Sequence, residues 1–293
     1  MHTTASDGRL SPVELVDRAA AAGLTTISVT DHDTIASLDD VTKAAKAKGI
    51  RVIPGIELTA IDHGKDVHVL GYFFDPASAP LAALLMSQRA LRVMRVREIA
   101  NTLASLNMPV DVNSVLISAA QRPGSSVGRP QLARELVRAG HAASVQEAFD
   151  KWLATGRPAY VPRTGPSPAE VIDAVHDAGG LASMAHPAVT NRDELIRPLV
   201  DRGLDALEVY HSDHTPEDVI EYKGLATRLG VLVTGGSDFH GDSDKPERAR
   251  RAVFGVVTLP AVDLAALETK IRLRAASADA SARQADAGTT GTH

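Results

Sequence analysis

The chain has 293 residues, 44% of them hydrophobic and 23% charged, a composition typical of a globular protein with one large core or two modest ones. It contains no cysteine, which excludes disulfides, cysteine-type zinc sites, iron–sulfur clusters and thiol nucleophiles and leaves His, Asp and Glu as metal ligands. The formal net charge of −5 argues against a broad electrostatic surface for nucleic acid, although local metals could still attract a small anionic substrate.

The first residues lack the basic and apolar regions of a secretion signal. No later segment approaches the roughly 20 apolar residues that a membrane span requires. We therefore expect a cytoplasmic protein that makes no membrane contact.

Two segments with the pattern Ser-Pro-x-Glu begin at Ser11 and Ser167. Ser is a suitable N-cap, Pro suits the first helical position and Glu completes a capping box, so a helix is predicted to start at each. Each predicted helix runs to a glycine, and a short β-prone run follows, at 24–30 and at 181–185. The same alternation recurs before the β-prone runs at 51–54, 206–210 and 231–234, the last preceded by a helix over about 216–229. It predicts an α/β fold with a parallel, barrel-like sheet.

Residues 81–160 interrupt this alternation, because apolar residues recur there at helical spacing and no strand is evident. We interpret 81–160 as a helical insertion that divides a discontinuous barrel domain into 1–80 and 161–272. Residues 273–293 are rich in Ala, Ser, Asp, Gly and Thr and are predicted to form a disordered tail.

Side chains that can bind metals follow four of the predicted strands, namely His32, His186, His211, and Asp238 with His240. Three further candidates are Asp7, Glu57 and His68. In an α/β barrel the carboxyl ends of the strands carry the chemistry. Imidazole and carboxylate ligands together suit Zn, Mn and Fe, and such a site can hydrolyse phosphate esters.

Six short segments in combination resemble the polymerase and histidinol phosphatase (PHP) family, at 2–8, 30–34, 54–57, 68–72, 185–187 and 236–240. The resemblance spans nearly the whole chain outside the tail and implies a distorted seven-stranded β/α barrel, the (β/α)7 PHP-type barrel. It also implies three divalent metal ions, with Mn expected and Zn, Fe or Mg as alternatives. The ligand sets it implies are His2, Glu57 and Asp238 for one ion, Glu57, His68 and His186 for a second, and Asp7, His32 and His240 for a third.

The family pattern opens with His-x-His at the end of a first strand, and Met1 stands at the x position. The resemblance thus implies that the first strand and one ligand are missing, which we expect to reflect a start upstream of Met1. Asp31 and Asp33 flank His32, and a metal-bound histidine normally donates its second nitrogen to such a carboxylate. Helix capping by Asp33 is an equally good alternative.

Within the family, the insertion and the segments 128–130 and 210–212 resemble the nucleoside 3′,5′-bisphosphate phosphatases, some of which also trim short RNA from the 5′ end. This implies hydrolysis of a 3′-phosphate by a metal-bridging hydroxide, with Arg129 and His211 holding the phosphate. Gln131 departs from the pattern, since the subgroup has histidine there. The alternatives are a 5′–3′ exoribonuclease, a histidinol phosphate phosphatase and a non-catalytic metal-binding module.

A basic run on the predicted insertion helix comprises Arg89, Arg92, Arg95 and Arg97. It could contact an RNA backbone, although most such runs are solvated faces. The expected partner is therefore a small nucleotide or a short RNA.

Overall fold

The structure is a computed structural model that describes residues 1–120, 127–241 and 254–289. Its strands are β1 (Thr26–Ile27), β2 (Arg51–Val52), β3 (Gly55–Asp62), β4 (Lys65–Tyr72), β5 (Leu181–Met184), β6 (Ala206–His211) and β7 (Leu232–Gly236). Its α-helices are α1 (Pro12–Ala21), α2 (Leu38–Ala47), α3 (Ala79–Ser105), α4 (Val112–Ala120), α5 (Arg129–Arg138), α6 (Val145–Ala148), α7 (Pro168–Asp177), α8 (Pro187–Thr190), α9 (Ile196–Asp201), α10 (Pro216–Leu229) and α11 (Ala261–Thr289). A π-helical turn spans Phe149–Leu153 and a 3₁₀ turn spans Asp193–Leu195.

The strands form two sheets. β1 and β2 pair in parallel, and a five-stranded sheet has the order β3-β4-β5-β6-β7. A single bridge between His32 and Glu57 joins the two sheets, which do not close into a barrel within the described residues. The mixed α/β class is confirmed.

The predicted parallel sheet is wrong at one side, because β3 pairs with β4 and β4 with β5 in antiparallel fashion. Within the five-stranded sheet β4 is the strand that runs in the opposite direction, and the pairs β5-β6 and β6-β7 are parallel. The reversal follows from the two-residue turn at His63 and Gly64, whose φ angles of 47° and 77° are both positive. Such a turn joins adjacent antiparallel strands directly, so no helix can intervene between β3 and β4.

The two predicted capping boxes are confirmed. Ser11 Oγ accepts from Glu14 N and Ser167 Oγ from Glu170 N, both at 3.3 Å, and each Glu carboxylate accepts from its serine backbone N–H. These reciprocal bonds satisfy amide groups that the first helical turn leaves without partners.

The main hydrophobic core lies between the five-stranded sheet and helices α3, α7 and α10. Fully buried residues at its centre include Ile56, Leu58, Val69, Ile172 and Leu207. A second cluster packs α1 and α2 against β1. Because β5, β6 and β7 are parallel, the polar residues that follow them lie at the same end of the sheet.

The described residues of 81–160 are mainly helical, and their helices have a hydrophobic core of their own, while 121–126 lie outside the described residues. This core includes Val96, Leu103, Leu132, Leu136 and Leu153. The division of the chain into a discontinuous domain and an insertion stays a prediction.

Helix α11 extends to Thr289 and so covers 273–289, where a disordered tail was predicted. Alanine favours the helix strongly, and Leu267 packs against β5 and β6. Arg274 Nη2 also donates to Asp205 Oδ1 at 2.7 Å, which fixes this part of α11 to the sheet. The rest of the predicted tail, 290–293, lies outside the described residues. In the part of the chain that the structure describes, no helix combines the length and apolarity needed to traverse a lipid bilayer.

Candidate active site

The structure brings together all eight predicted metal-binding side chains. His32, His186, Asp238 and His240 follow strand ends, and Glu57 and His68 lie on β3 and β4. His2 and Asp7 come from the loop that precedes α1. Each of the eight has a nitrogen or carboxylate oxygen within 4.0 Å of another member. We call these eight residues the ligand cluster.

Glu57 is the centre of the ligand cluster. Its Oε1 lies 2.5 Å from His68 Nδ1 and 3.4 Å from His186 Nε2, and its Oε2 lies 3.2 Å from His2 Nε2. Burial opposes ionisation of this carboxyl, but the nearby imidazoles of His32 and His68 outweigh burial and hold the pKa of Glu57 well below its usual range. Glu57 is therefore a carboxylate whose two oxygens face different partners, as a bridging ligand requires.

His2 is held between the segments that follow β1 and β7. Thr30 N donates to the Met1 carbonyl at 2.9 Å, and His2 N donates to the Phe239 carbonyl at 2.8 Å. The His2 side chain is fully buried, and its Nε2 lies 2.9 Å from Asp238 Oδ1. His2 thus lies inside the ligand cluster.

Three groups in the ligand cluster have ligand atoms within 4.8 Å of one another. They are His2, Asp7, His32 and His240; His32, Glu57 and His68; and His2, Glu57 and Asp238. The last group is the set that the sequence predicted for the first ion. The second group differs from the prediction, because His32 rather than His186 completes it.

In the described part of the chain, buried ring nitrogens without hydrogen-bond partners indicate that the ligand cluster can bind divalent metal ions. Both nitrogens of His2 and Nδ1 of His68 are buried and have no partner in hydrogen-bond geometry among the described residues. Buried polar atoms are rarely left in this state, and a metal ion would satisfy them. The Glu57 carboxylate and the four imidazoles within 4.0 Å of it, those of His2, His32, His68 and His186, provide hard and borderline donors, which suit Mn, Fe or Zn.

The histidines differ in proton affinity. Burial lowers the pKa of His2, but the Asp238 and Glu57 carboxylates outweigh it and raise this pKa to about 9. Burial lowers the pKa of His32 to about 4 despite the attraction of Glu57. Because metals bind the neutral imidazole, an ion at His2 must displace a proton, whereas His32 already offers a free lone pair.

Asp31 organises the N-terminal loop instead of contacting the His32 ring. Its Oδ1 accepts from Thr3 N at 2.7 Å and Ser6 Oγ at 2.6 Å. Its Oδ2 accepts from Thr3 Oγ1 at 2.7 Å and Ser37 Oγ at 2.5 Å. Three of these bonds fix the loop that carries His2, and the fourth ties Asp31 to Ser37 just before α2.

Asp33 does not cap a helix, so that alternative is wrong. Its Oδ1 accepts from Thr59 N at 2.7 Å, and its Oδ2 accepts from Thr59 Oγ1 and bonds Arg92 of α3. The residue thereby connects the segment after β1 to β3 and to the helical insertion. Asp33, His186 and Asp238 also have positive φ angles of 52°, 28° and 49°. Non-glycine residues in this region are strained, and such strain is concentrated at functional sites.

The two predicted phosphate-binding residues are not brought together. The His211 side chain is fully buried, with its Nε2 3.8 Å from Asp238 Oδ2 and its Nδ1 accepting from Asp213 N at 3.1 Å. Arg129 lies in a cleft wall, where its Nη1 donates to the Leu153 carbonyl at 3.1 Å. His211 is not among the residues that line this cleft.

The cleft has a volume of about 920 Å³ and connects the ligand cluster with the helical insertion. Three residues of the ligand cluster line this cleft, namely Asp7, His32 and His68. Its cationic lining residues are Arg92, Arg95, Arg129, Arg134 and Arg163. Of the predicted basic run, only Arg92 and Arg95 line the cleft, whereas Arg89 and Arg97 are exposed outside its lining.

Sequence reasoning missed Arg163 and Glu208. Arg163 lies in a Pro- and Gly-rich segment, and nothing in its local pattern points to the cleft. Glu208 is an acid within the apolar strand β6, a signal that could have been noticed. Burial raises the pKa of Glu208, and its Oε2 accepts from His186 N at 2.9 Å.

A His and carboxylate cluster at strand ends, opening into an arginine-lined cleft, is the site of a metal-dependent hydrolase that acts on phosphate esters. The PHP domain model matches residues 1–158. The chain belongs to the PHP domain family, as its sequence motifs predicted, and is a hydrolase acting on phosphoric esters.

Two relatives named for phosphoesterase activities and one solved structure are similar to this chain. The chain is 35% identical over 244 residues to a 5′-3′ exoribonuclease of Haemophilus influenzae, covering 82% of this chain and 88% of the relative. It is 32% identical over 247 residues to a 3′,5′-nucleoside bisphosphate phosphatase of Chromobacterium violaceum, covering 82% of this chain and 85% of the relative. A crystal structure from Bifidobacterium adolescentis, described as a metal-dependent phosphoesterase, has a TM-score of 0.76 and 33% identity and covers 91% of this chain and 93% of that one.

Proposed function

We propose that this protein hydrolyses the 3′-phosphate of a nucleoside 3′,5′-bisphosphate and uses three divalent ions, with Mn as the expected metal. The observation that carries the proposal is the ligand cluster opening into a cleft with five arginines. A volume of about 920 Å³ lies in the range of pockets that hold small ligands such as a mononucleotide. The named activity of the Chromobacterium relative supports the choice of substrate.

The eight residues of the ligand cluster would hold the ions, with Glu57 as the shared ligand. When bound, the ions lower the pKa of water and neutralise charge on the phosphoryl oxygens. The chain itself supplies the positions of its ligands: Asp31 fixes the loop with His2, and Asp33 fixes the segment after His32. The reaction breaks the phosphate ester and yields inorganic phosphate and a nucleoside 5′-monophosphate.

Arg129 and His211 take different parts in this proposal. Arg129 binds a phosphate in the cleft, because a planar guanidinium matches two phosphoryl oxygens. His211 is a positioning residue for Asp238, since it is buried behind that carboxylate and shares no cleft surface. A substrate contact by His211 would require a rearrangement of the strand ends.

Glu57→Gln is expected to reduce phosphate release by about 1,000-fold or more while the protein remains folded, because a neutral amide would be a weaker metal ligand than the carboxylate. Phosphate release should be measured with Mn on a nucleoside 3′,5′-bisphosphate, a 5′-phosphorylated short RNA and histidinol phosphate. The exposed Glu221→Gln is the matched control and should behave as the wild type. Full activity of Glu57→Gln on the preferred substrate would refute the assignment of the site.

A second candidate function is 5′–3′ exonuclease action on short RNA, which the Haemophilus relative and the open cleft favour. In the same panel this activity would release nucleotides stepwise from the 5′ end. Histidinol phosphate needs a small closed pocket, so the arginine-lined cleft argues against it. A non-catalytic metal-binding module would bind one metal or none and hydrolyse nothing, whereas we expect about three metals per chain.

A further inference from the structure

Glu208 is a buried acid inside strand β6. The residues on either side of it belong to the main hydrophobic core, so the alternation of side chains along a strand places Glu208 on the opposite face of the sheet. Ile56 and Leu58 place Glu57 on that same face of β3, because both belong to the main core. A cavity of about 340 Å³ is lined by both carboxylates. Glu208 therefore lies on the face of the sheet that carries the centre of the ligand cluster.

The Glu208 carboxylate contacts the ends of both neighbouring strands. Its Oε2 accepts a hydrogen bond at 2.9 Å from the backbone N–H of His186, which follows β5. On its other side it packs against Gly236, the last residue of β7, where a Cβ atom would lie 3.2 Å from Glu208 Oε1. Asp238 follows Gly236 by two residues. One buried side chain thus contacts two segments that carry members of the ligand cluster.

The backbone of His186 adopts a conformation that requires support from its surroundings. Its φ of 28° and ψ of 63° are rarely adopted by a residue with a side chain. Such a conformation persists only when neighbouring contacts hold it. The hydrogen bond to Glu208 holds the amide on one side of the residue, and Pro187 restricts the backbone on the other.

The His186 side chain extends from this backbone into the ligand cluster. Its Nε2 lies 3.4 Å from Glu57 Oε1, and its Nδ1 lies 3.3 Å from Thr190 Oγ1. Glu208 is not among the residues that line the arginine-lined cleft. A buried carboxylate that bonds the backbone of a proposed metal ligand, and that lies outside the cleft, acts on the position of that ligand.

We propose that Glu208 is a positioning residue for metal binding, because its hydrogen bond to the His186 amide holds the His186 ring in the ligand cluster. The proposal rests on the proposed function only in taking the ligand cluster as the metal site. Without this bond the His186 backbone relaxes to an ordinary conformation and turns the ring away from Glu57. The affinity for Mn then falls, whereas substrate binding changes only through the metals.

The test measures Mn binding to the metal-free wild type and to three Glu208 variants by calorimetry. Glu208→Ala removes the acceptor, and Glu208→Gln keeps a neutral acceptor at the same reach. Glu208→Asp keeps the charge but is one methylene shorter, so its carboxylate no longer reaches His186 N. The matched control is Asp205→Ala, because Asp205 is a buried acid at the other end of β6 whose Oδ2 accepts from Ala182 N, a backbone amide of β5, at 3.0 Å.

We expect Glu208→Ala and Glu208→Asp to bind Mn about 10- to 100-fold more weakly than the wild type, the range typical of residues that orient metal ligands. Glu208→Gln should stay within about threefold of the wild type, and Asp205→Ala within about twofold even where its fold is less stable. Wild-type affinity in Glu208→Asp overturns the proposal. So does a Glu208→Gln as weak as Glu208→Asp, which would make the charge and not the hydrogen bond decisive.

A loss of Mn affinity in Asp205→Ala equal to that in Glu208→Ala also overturns the proposal, since any weakening of the sheet would then have the same effect. Thermal melting establishes which variants are folded. If Glu208→Ala does not fold, Glu208→Gln and Glu208→Asp decide by the criteria already given.

Failure of the proposed function would be recognised separately, as a wild type that binds Mn but releases no phosphate from any substrate of the panel. The Mn affinities of the variants decide the role of Glu208 in that case as well. With an active wild type, saturating Mn should restore most of the kcat of Glu208→Asp at an unchanged KM for the substrate. A loss of kcat that accompanies wild-type Mn affinity, or a wild type that binds no Mn, overturns the proposal.

Discussion

Asp31→Ala should loosen the N-terminal part of the active site. The Asp31 carboxylate accepts four hydrogen bonds, and its donors on Thr3 and Ser37 are buried. Alanine would leave the buried Thr3 N–H without its acceptor and would open a small cavity. From the cost of buried groups left unpaired, we expect the free energy of unfolding to fall by about 3–5 kcal/mol.

Asp31→Asn is the matched variant. The Thr3 and Ser37 hydroxyls can accept from the new amide, so the bonds persist while the charge is lost. We expect a loss of only about 1–2 kcal/mol, since hydrogen bonds to neutral acceptors are weaker than those to charged ones. Urea unfolding gives the stabilities, and Mn titration reports on the loop that carries His2.

The expected order in both assays is wild type, then Asp31→Asn, then Asp31→Ala. Wild-type values for Asp31→Ala in stability and in Mn affinity would refute the inference that this carboxylate holds the loop. A loss of Mn affinity without a change in stability would mean that the loop opens locally instead of weakening the whole fold.

Two further predictions concern buried ion pairs. Arg92→Met removes the ion-pair partner of the buried Asp33, so the free energy of unfolding measured with urea should fall by about 2–4 kcal/mol. An unchanged midpoint of urea unfolding would contradict this. Burial opposes ionisation of Asp205, but His176, a backbone amide and Arg274 lower its pKa. A pKa that is lower in the folded state gives stability that is complete above about pH 4 and is lost as the pH falls through the folded value. In Asp205→Asn, the free energy of unfolding measured with urea between pH 3 and 7 should therefore fall less steeply towards acid pH than in the wild type. An equally steep fall would count against this prediction.

Helix starts and the metal-binding chemistry could be predicted from sequence because both depend on short segments. The Ser-Pro-x-Glu boxes at Ser11 and Ser167 place donor and acceptor within one turn of each other. His32, His186 and Asp238 each follow a β-prone run closely, so parallel strands alone bring them to the same edge. These three members of the ligand cluster were thus foreseeable from the strand pattern, whereas His2 entered only through the resemblance to the PHP family.

The direction of β4 was missed although its signal is local. Residues His63 and Gly64 form a two-residue turn between eight-residue strands, and a strand over 55–62 was not predicted at all. Composition alone does not reveal that Arg274, at the start of the predicted tail, donates to Asp205.

The sequence by itself determined the class of the site, since ligand types and their spacing after strands are properties of short segments. Only the tertiary structure decided which polar residues line the cleft. It buries His211 behind Asp238 and pairs Arg163 with Asp66 across 97 positions of the chain, in the same cleft as Arg95. Such contacts depend on how the elements pack over long separations, and no local pattern encodes them.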